Sequence, residues 1–503
     1  MYDYIVIGAG TAGCALAARL SEDAHAQVLL IEAGPPDRDA AVRTPLAYPK
    51  LFQTALDWNL WTEPQTALGN RHLYWPRGKT LGGSGSIGAM VHMPACPADL
   101  NAWSDAGNPG WSFAELQPFY QRLAPAGIPT QPLEQLNPLS TAFLDSCDAA
   151  GVPRVTVLED AAAPGAGAFR VNIRRGRRWS VADAYLRPAL RRGNLTVWTN
   201  IQVRRVLFEG SRATGVEYSQ ADSVQQVAVT REIILCAGAV GSPQLLLLSG
   251  LGPADHLESL GIPIIAPLTG VGGNLQDHLA APVSYFSLEP LSYSGARTFA
   301  NQWKHRLFGT GPLASNGAEV GAMFQTQRGL PACDVEIVFA PAHYVDHGFA
   351  SPGGHGFSLI PALLTPKSRG AIRLASADPG IPPVIDPAYL SDPSDLAVLA
   401  EGVRLARSIV DKKPLAQYRG APVQGQILEP EEHVRAWGQT LYHPVGTCRM
   451  GAHEGAVVDP LLRVHGVTGL RVADASIMPL IPRAHTNATT LAIAEKAAQL
   501  LRG

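Results

Sequence analysis

The chain has 503 residues, 46% of them hydrophobic and 16% charged, which is enough for two or three domains of about 150 residues each. A formal net charge of -2 gives no reason to expect nucleic acid or an anionic lipid surface as a partner, and we interpret the basic run Arg174 to Trp179 as a solvated turn. Six widely spaced cysteines without a CxxC pair argue against a disulfide framework and against a metal site. With no signal-peptide pattern and no uninterrupted apolar run of membrane-spanning length, we expect a cytoplasmic protein without a membrane span.

The first predicted elements form a dinucleotide-binding unit. The apolar run in "YDYIVIGAGTAG" enters Gly8-x-Gly10-x-x-Gly13, "CALAARL" has helical spacing, and "AQVLLIEAG" reads as a second strand that ends in Glu32. In such a unit Gly8 permits the tight turn, Gly10 admits the pyrophosphate and Gly13 lets the helix pack on the sheet. The helix N-terminus near Thr11 offers free N–H groups to the phosphates. The Glu32 carboxylate suits a ribose 2′-hydroxyl and disfavours NADP, but the motif does not separate NAD from FAD.

The middle of the chain predicts a change of architecture. Strand-like runs between residues 196 and 235 predict a small hairpin layer followed by a strand that returns to the main sheet. The apolar segment "IILCAGAVGSPQLLLLSGLG" predicts a buried strand and helix. From residue 291 to 440, aromatic and apolar strand candidates surround the helical segment "DLAVLAEGVRLARSIV". We therefore expect one domain over 1–290, completed by 440–503, and a second domain over 291–439.

The C-terminal segment favours FAD over NAD. "GLRVADASIMP" predicts a strand that ends near Asp474, and "NATTLAIAEKAAQLL" predicts a closing helix. An acid at the end of a late strand fits the ribityl–pyrophosphate arm of a long, two-part cofactor, while the N-terminal unit holds its adenosine.

Seven segments resemble the glucose–methanol–choline (GMC) oxidoreductases, and they occur in family order over essentially the whole chain. They are "GKTLGGSGSIGAMV", "NPGWSFAELQPFY", "RRWSVADAYLRPAL", "GAVGSPQLLLLSGLG", "GVGGNLQDH", "PKSRGAIRL" and "YHPVGTCRMG". The resemblance implies an α/β fold with a Rossmann-type FAD-binding domain and an antiparallel-sheet substrate-binding domain. From the dinucleotide pattern and the resemblance together, we expect the cofactor to be held by Gly8, Gly10, Thr11, Ala12, Gly13, Glu32, Ala33, Gly83, Ser84, Gly88, Ala89, Val91, Val203, Ala237, Gly238, Asp474, Ala475, Thr486 and Asn487.

The chain departs from the family pattern at two positions in and just after the first signature segment. The family usually has Asn or His where this chain has Gly88, and an aromatic residue where it has His92. Members with covalent flavin carry His at the position of Ile87, so we expect non-covalent FAD. The loss of a polar group at Gly88 leaves open whether the electron acceptor is O2 or another molecule.

The resemblance also places two side chains before the flavin ring, at His443 and His485. A neutral imidazole titrates near working pH and can accept an alcohol proton while hydride passes to flavin N5, so His443 is expected to be the general base and His485 its hydrogen-bonding partner. The leading hypothesis is oxidation of a small primary alcohol, of aromatic, allylic or furfuryl type, to the aldehyde. We expect the alcohol and an electron acceptor as partners, and no nucleic acid. We expect the protein to be a monomer or a homodimer.

Two alternatives stay open within the family, a choline-type alcohol dehydrogenase and a hydroxynitrile lyase. A choline cation would need a carboxylate or an aromatic box, and Glu319 or Glu336 could supply the carboxylate. His92, Cys96, Trp58, Trp61, Phe339 and Tyr344 are further candidates for pocket walls, with ordinary core packing at least as consistent with the sequence.

Overall fold

The computed structural model describes residues 1–221, 223–350 and 352–502. Its first sheet is built on the predicted N-terminal unit. Strand β1 (Tyr2–Ile7), helix α1 (Thr11–Leu20) and strand β2 (Val28–Ile31) follow one another, and β1 and β2 pair in parallel. The two strands read as apolar runs because β2 and the last four residues of β1 are buried in the sheet centre.

The long strand β3 (Ser223–Leu235) joins two kinds of pairing in this seven-stranded sheet. Its first half pairs antiparallel with Arg212–Gln220, which pairs in turn with Gln202–Glu209. Its second half runs parallel to β1 on one side and to Leu470–Val472 on the other. Leu195–Trp198 completes the sheet beyond β2. The hairpin layer and the returning strand therefore lie where the sequence predicts them.

A second sheet of ten mostly antiparallel strands lies beside the first. Its strands are Val91–His92, Arg154–Leu158, Gly165–Val171, Leu279–Ala280, Val283–Ser287, Val320–Phe324, Val335–Ala340, Gly356–Leu363, Arg419–Pro422 and Gln439–Thr440. A Rossmann-type sheet beside an antiparallel sheet confirms the expected fold class. Five of these strands come from before residue 290 and the other five from later in the chain, so the division into 1–290 with 440–503 and 291–439 stays a prediction.

The helices cover the faces and edges of the two sheets. After α1 come Ala40–Arg43, Ser84–Ile87, Pro97–Asp105, Phe113–Leu123, Pro138–Ala149, Arg187–Ala189, Gly238–Leu248 (α2), Ala254–Ser259, Phe299–Phe308 (α3), Pro393–Val410 (α4), Lys413–Ala416, Pro430–Trp437 and Thr486–Arg502 (α5). Four small two-stranded ribbons lie outside the sheets: Leu60–Trp61 with Tyr74–Trp75, Ile173–Arg174 with Arg177–Arg178, Leu251–Gly252 with Ala266–Pro267, and Ala371–Arg373 with Val384–Asp386. Within the described ranges, no helix is both long and apolar enough to cross a membrane.

The two ends of the chain are joined through α1 and α5. The helices pack on each other, and the Arg19 guanidinium donates to both carboxylate oxygens of the buried Glu495 at 2.9 to 3.1 Å. The Tyr185 hydroxyl donates to the same carboxylate at 2.6 Å. This contact places the start of α5 beside the glycine turn that precedes α1.

Candidate active site

One cavity of about 550 Å³ runs between the two sheets. All the cofactor residues predicted from the sequence line it except Gly13, and both predicted catalytic histidines line it as well. The nucleotide-binding turn and the histidines, which are more than 400 residues apart in sequence, therefore face the same space.

Gly13 lies beneath the cavity and sets how closely helix α1 approaches the sheet. A Cβ atom at this position would lie 1.8 Å from the carbonyl oxygen of Gly8. Gly10 differs, because a Cβ there would meet nothing of the protein closer than 3.8 Å. Gly10 caps α1 without a side-chain hydrogen bond, so the first N–H groups of the helix open onto the cavity.

The Glu32 carboxylate closes the nucleotide end of the cavity. Its two oxygens accept from the N–H groups of Ala9 and Gly34 at 2.8 and 2.9 Å. Burial raises the pKa of Glu32 to about 7, although these hydrogen bonds oppose the rise. The loop of residues 379–383 also lines this end, and nothing in the sequence indicated its contribution.

The Asp474 side chain braces the turn before α2. Its carboxylate accepts from the Gly238 N–H, the Ser242 hydroxyl and the Ser476 N–H at 2.6 to 2.8 Å. The residue lines the cavity as expected, but these three bonds engage its carboxylate within the protein. Nearby, the Thr11 hydroxyl donates to the Asn487 side-chain oxygen at 2.7 Å and joins the starts of α1 and α5.

His443 lies at the other end of the cavity, held from both its backbone and its ring. Its N–H donates to Asp277 Oδ1 at 2.7 Å, and its Nδ1 lies 2.9 Å from Nδ1 of the fully buried His278. The other nitrogen of His278 lies 3.2 Å from the carbonyl oxygen of Leu364. Burial lowers the pKa of His443 well below its ordinary value, and the neighbouring His485, His278 and Arg77 add to this.

These contacts assign the tautomers of both rings. The Leu364 carbonyl can only accept, so the proton of neutral His278 is on Nε2 and its Nδ1 is a lone pair. Burial lowers the pKa of His278 to about 3, which keeps that ring neutral. His443 must then donate from Nδ1, which leaves its Nε2 as an unprotonated acceptor. Among the described residues, no side chain or backbone group forms a hydrogen bond with this nitrogen.

His485 packs edge-to-face against His443, with ring centroids 4.9 Å apart. The expected hydrogen bond between these two rings is not formed, because the His443 ring pairs with His278 instead. Its Nε2 lies 3.2 Å from Oε1 of the buried Glu336. The sequence offered Glu336 only as a possible choline partner, whereas the structure places it behind His485 and outside the cavity lining.

The walls between the two ends are aromatic and aliphatic. Tyr48, Phe52, Trp58, Tyr344 and Tyr442 line the cavity, which places two of the sequence candidates there. The remaining candidates, His92, Cys96, Trp61, Phe339 and Glu319, do not line it.

Besides the loop of residues 379–383, three side chains of the site were not predicted from the sequence. His278 was present in the quoted segment "GVGGNLQDH", but nothing showed that it would contact His443. Tyr48 and Phe52, which come from the segment before the first signature, carried no signal at all. Among the described residues no group of three or more His, Cys, Asp or Glu side chains is arranged to hold a metal ion.

The cavity fits a two-part dinucleotide whose redox ring meets the histidines. Two helix starts and the glycine turn suit phosphates, Glu32 suits a ribose, and Gly83 to Val91 link that end to His443. A dinucleotide cradle that leads to paired imidazoles defines an oxidoreductase of the flavin-dependent, two-sheet class.

Comparison with known proteins identifies the family. The GMC oxidoreductase models match residues 2–280 and 366–494. Alcohol dehydrogenase [acceptor] of Pseudomonas putida is 39% identical over 100% of this chain and 96% of its own. Mitochondrial choline dehydrogenase of Homo sapiens is 38% identical over 100% of this chain and 90% of its own. The crystal structure of pyridoxine 4-oxidase from Mesorbium loti has a TM-score of 0.90 and is 33% identical over 99% of both chains. The chain therefore belongs to the GMC oxidoreductases, a family of FAD-dependent enzymes of alcohol oxidation, which confirms the resemblance and the enzyme class.

Proposed function

We propose that this enzyme oxidises a small primary alcohol of aromatic, allylic or furfuryl type to the aldehyde, with His443 as the base. The observation that carries the proposal is the hydrogen-bonded series Leu364–His278–His443, which leaves an imidazole lone pair at the cavity wall. FAD, when bound without a covalent link by the residues of the nucleotide end, supplies the acceptor for the hydride. O2 or another molecule takes up the electrons afterwards.

The protein's own part is to take the proton and to hold the substrate oxygen. Nε2 of His443 accepts the hydroxyl proton, and the low pKa of this ring keeps the nitrogen unprotonated at neutral pH. His485, whose Nε2 is held by the Glu336 carboxylate, lies beside His443 and holds the substrate oxygen in line with the base. Tyr344, Tyr442 and Phe52 pack against the organic group and exclude water.

The lining favours a neutral aromatic substrate over choline. The described residues that line the cavity include only two carboxylates, Glu32 and Asp474, and both lie at the nucleotide end. Arg77 lines the histidine end and adds positive charge there. A quaternary ammonium ion would meet that charge with only aromatic faces to compensate. Pyridoxine, named in the 33% identical structure, carries hydroxymethyl groups on an aromatic ring. Similarity to choline dehydrogenase keeps choline as the second candidate.

The test is anaerobic reduction of the bound flavin, followed by absorbance, with benzylic, furfuryl, aliphatic and choline alcohols. We expect bleaching fastest with the aromatic alcohols, and we expect His443→Ala to keep its flavin while bleaching slows by about 10² to 10⁴. His433→Gln, a buried histidine outside the cavity, is the matched control and should bleach at the normal rate. Unchanged bleaching in His443→Ala would rule out the base assignment, and fastest bleaching by choline would replace the substrate class.

A further inference from the structure

Helix α3 presents its apolar side to water instead of to the protein. Phe299, Trp303 and Leu307 are 76%, 48% and 62% exposed, and their four-residue spacing forms one stripe. The opposite side carries the buried His305, whose Nε2 lies 2.8 Å from the carbonyl oxygen of Gly176. This is the reverse of the usual arrangement, in which the apolar stripe of a surface helix packs on the core.

Positive charge surrounds the stripe. Lys304 and Arg306 are exposed on either side of it, and residues 290–318 include no Asp or Glu. The basic turn around Arg174 to Trp179 meets the end of the same helix, since a Cβ at Gly176 would lie 1.8 Å from the carbonyl oxygen of Gly309. Residues 161–182 around that turn also contain no acid. The turn adds three exposed cations to the patch: Arg174, Arg175 and Arg177.

An amphipathic helix with aromatic and leucine side chains on one side and cations beside them has the features of helices that lie in the headgroup region of a bilayer. A second copy of the chain fits less well, because symmetric pairing of this patch would bring five exposed cations of each copy together without a carboxylate. We propose that α3 and the Arg174–Arg177 turn form a lipid-facing surface that docks the enzyme on an anionic phospholipid bilayer. Phe299, Trp303 and Leu307 enter the headgroup region, and the cations bind the lipid phosphates.

The lipid-facing surface lies close to the substrate end of the enzyme. Helix α3 contacts the turn Pro312–Ala314, which contacts Pro45–Leu51, and Tyr48 of that segment lines the cavity. Docking would therefore hold one wall of the cavity near the bilayer. The proposal does not depend on the proposed substrate, because it rests on the exposed stripe and its charges.

Co-flotation of the flavin-loaded full chain with vesicles tests the proposal. We expect binding to phosphatidylcholine vesicles that contain about one third phosphatidylglycerol, little binding to phosphatidylcholine alone, and loss of binding as salt rises from about 0.05 to 0.5 M. No binding to the anionic vesicles at low salt, or binding that ignores both lipid charge and salt, would overturn the proposal without any variant being needed.

Variants then locate the surface. Phe299→Ser/Trp303→Ser/Leu307→Ser should abolish flotation. Val224→Ser/Ile427→Ser/Leu461→Ser, which changes three exposed apolar side chains elsewhere on the surface, should not. Lys304→Gln/Arg306→Gln should weaken partitioning onto the anionic vesicles about 25-fold, which is about fivefold for each cation removed. The control Lys412→Gln/Lys413→Gln should partition as the unmodified protein does. Flavin content and circular dichroism check folding. Unchanged flotation of Phe299→Ser/Trp303→Ser/Leu307→Ser would contradict the proposal. So would a dimer, measured by light scattering, that becomes a monomer in this variant.

Discussion

At the residue scale, His278 determines which ring nitrogen of His443 carries the proton. Its Nε2 donates to a backbone carbonyl, so its Nδ1 can only accept from His443. Without that acceptor, neutral His443 is free to carry its proton on Nε2, where it cannot act as a base. His278 is thus a positioning residue that acts through His443.

Replacing His278 separates this hydrogen bond from simple packing. His278→Leu should slow anaerobic flavin reduction by at least about tenfold with little change in KM, because part of His443 shifts to the wrong tautomer. His278→Gln should retain more activity, since its side-chain oxygen can accept from the His443 Nδ1–H. Stopped-flow rates of flavin reduction in the two variants distinguish the hydrogen bond from packing. Equal losses of rate in both variants would favour a packing role for His278.

At the scale of elements, the turn between β1 and α1 has two glycines with different duties. Gly13 is required by the protein itself, because any Cβ would overlap the Gly8 carbonyl. Gly10 has room within the protein, so the space beside it is available to a cofactor. The sequence motif predicts these two roles, and the packing agrees with it, because only Gly13 has no room for a Cβ.

This distinction predicts opposite behaviour for two alanine variants. Gly10→Ala should fold with a loss of a few tenths to about 1 kcal/mol but bind FAD at least about tenfold more weakly, because its methyl group occupies cofactor space. Gly13→Ala should fail to accumulate as folded protein. Thermal unfolding with and without added FAD, together with flavin content after purification, measures both effects. Full flavin retention by Gly10→Ala would show that the cofactor does not approach this backbone.

Helix α3 shows the limit of reading elements from hydrophobic spacing. The spacing of Phe299, Trp303 and Leu307 is that of a core-packed helix, and only the tertiary structure shows which side faces the protein. The buried His305 and its contact with the Gly176 carbonyl show that the side opposite this stripe faces the protein.

At the scale of the whole molecule, buried histidines make the fold sensitive to acid. Burial lowers the pKa values of His92, His347 and His433 to about 4 from an ordinary value of 6.5. Between these values the unfolded chain binds protons that the folded chain does not, so stability falls as pH drops from 6.5 towards 4. Glu32, whose pKa is raised to about 7, acts in the opposite direction between its ordinary value of 4.5 and 7.

One of these histidines can be removed without touching the cavity. His433 lies 3% exposed with its Nε2 3.0 Å from the carbonyl oxygen of Pro282, a bond that the amide of His433→Gln can replace. The free energy of unfolding lost between pH 7 and pH 5 should be smaller in this variant by about 2 kcal/mol. Denaturant unfolding at the two pH values measures it, and an unchanged difference would mean that His433 is protonated in the folded state.

The sequence by itself determined the parts of this protein that depend on local pattern. The glycine turn and the first strands and helix follow from short segments, because turn geometry and strand burial restrict neighbouring residues. The two-sheet class followed from the resemblance of the signature segments to the GMC family. The family resemblance likewise singled out His443 and His485 as candidates.

Only the tertiary structure decided which distant side chains meet. His278 and His443 are 165 positions apart and Glu336 and His485 are 149 apart, and no local spacing relates them. Their contacts arise where the antiparallel sheet closes over the end of the cavity, and the burial this causes sets the low pKa values of His278 and His443. The exposure of Phe299, Trp303 and Leu307 on α3 also depends on tertiary packing, because contacts with distant segments determine which side of a helix faces the protein.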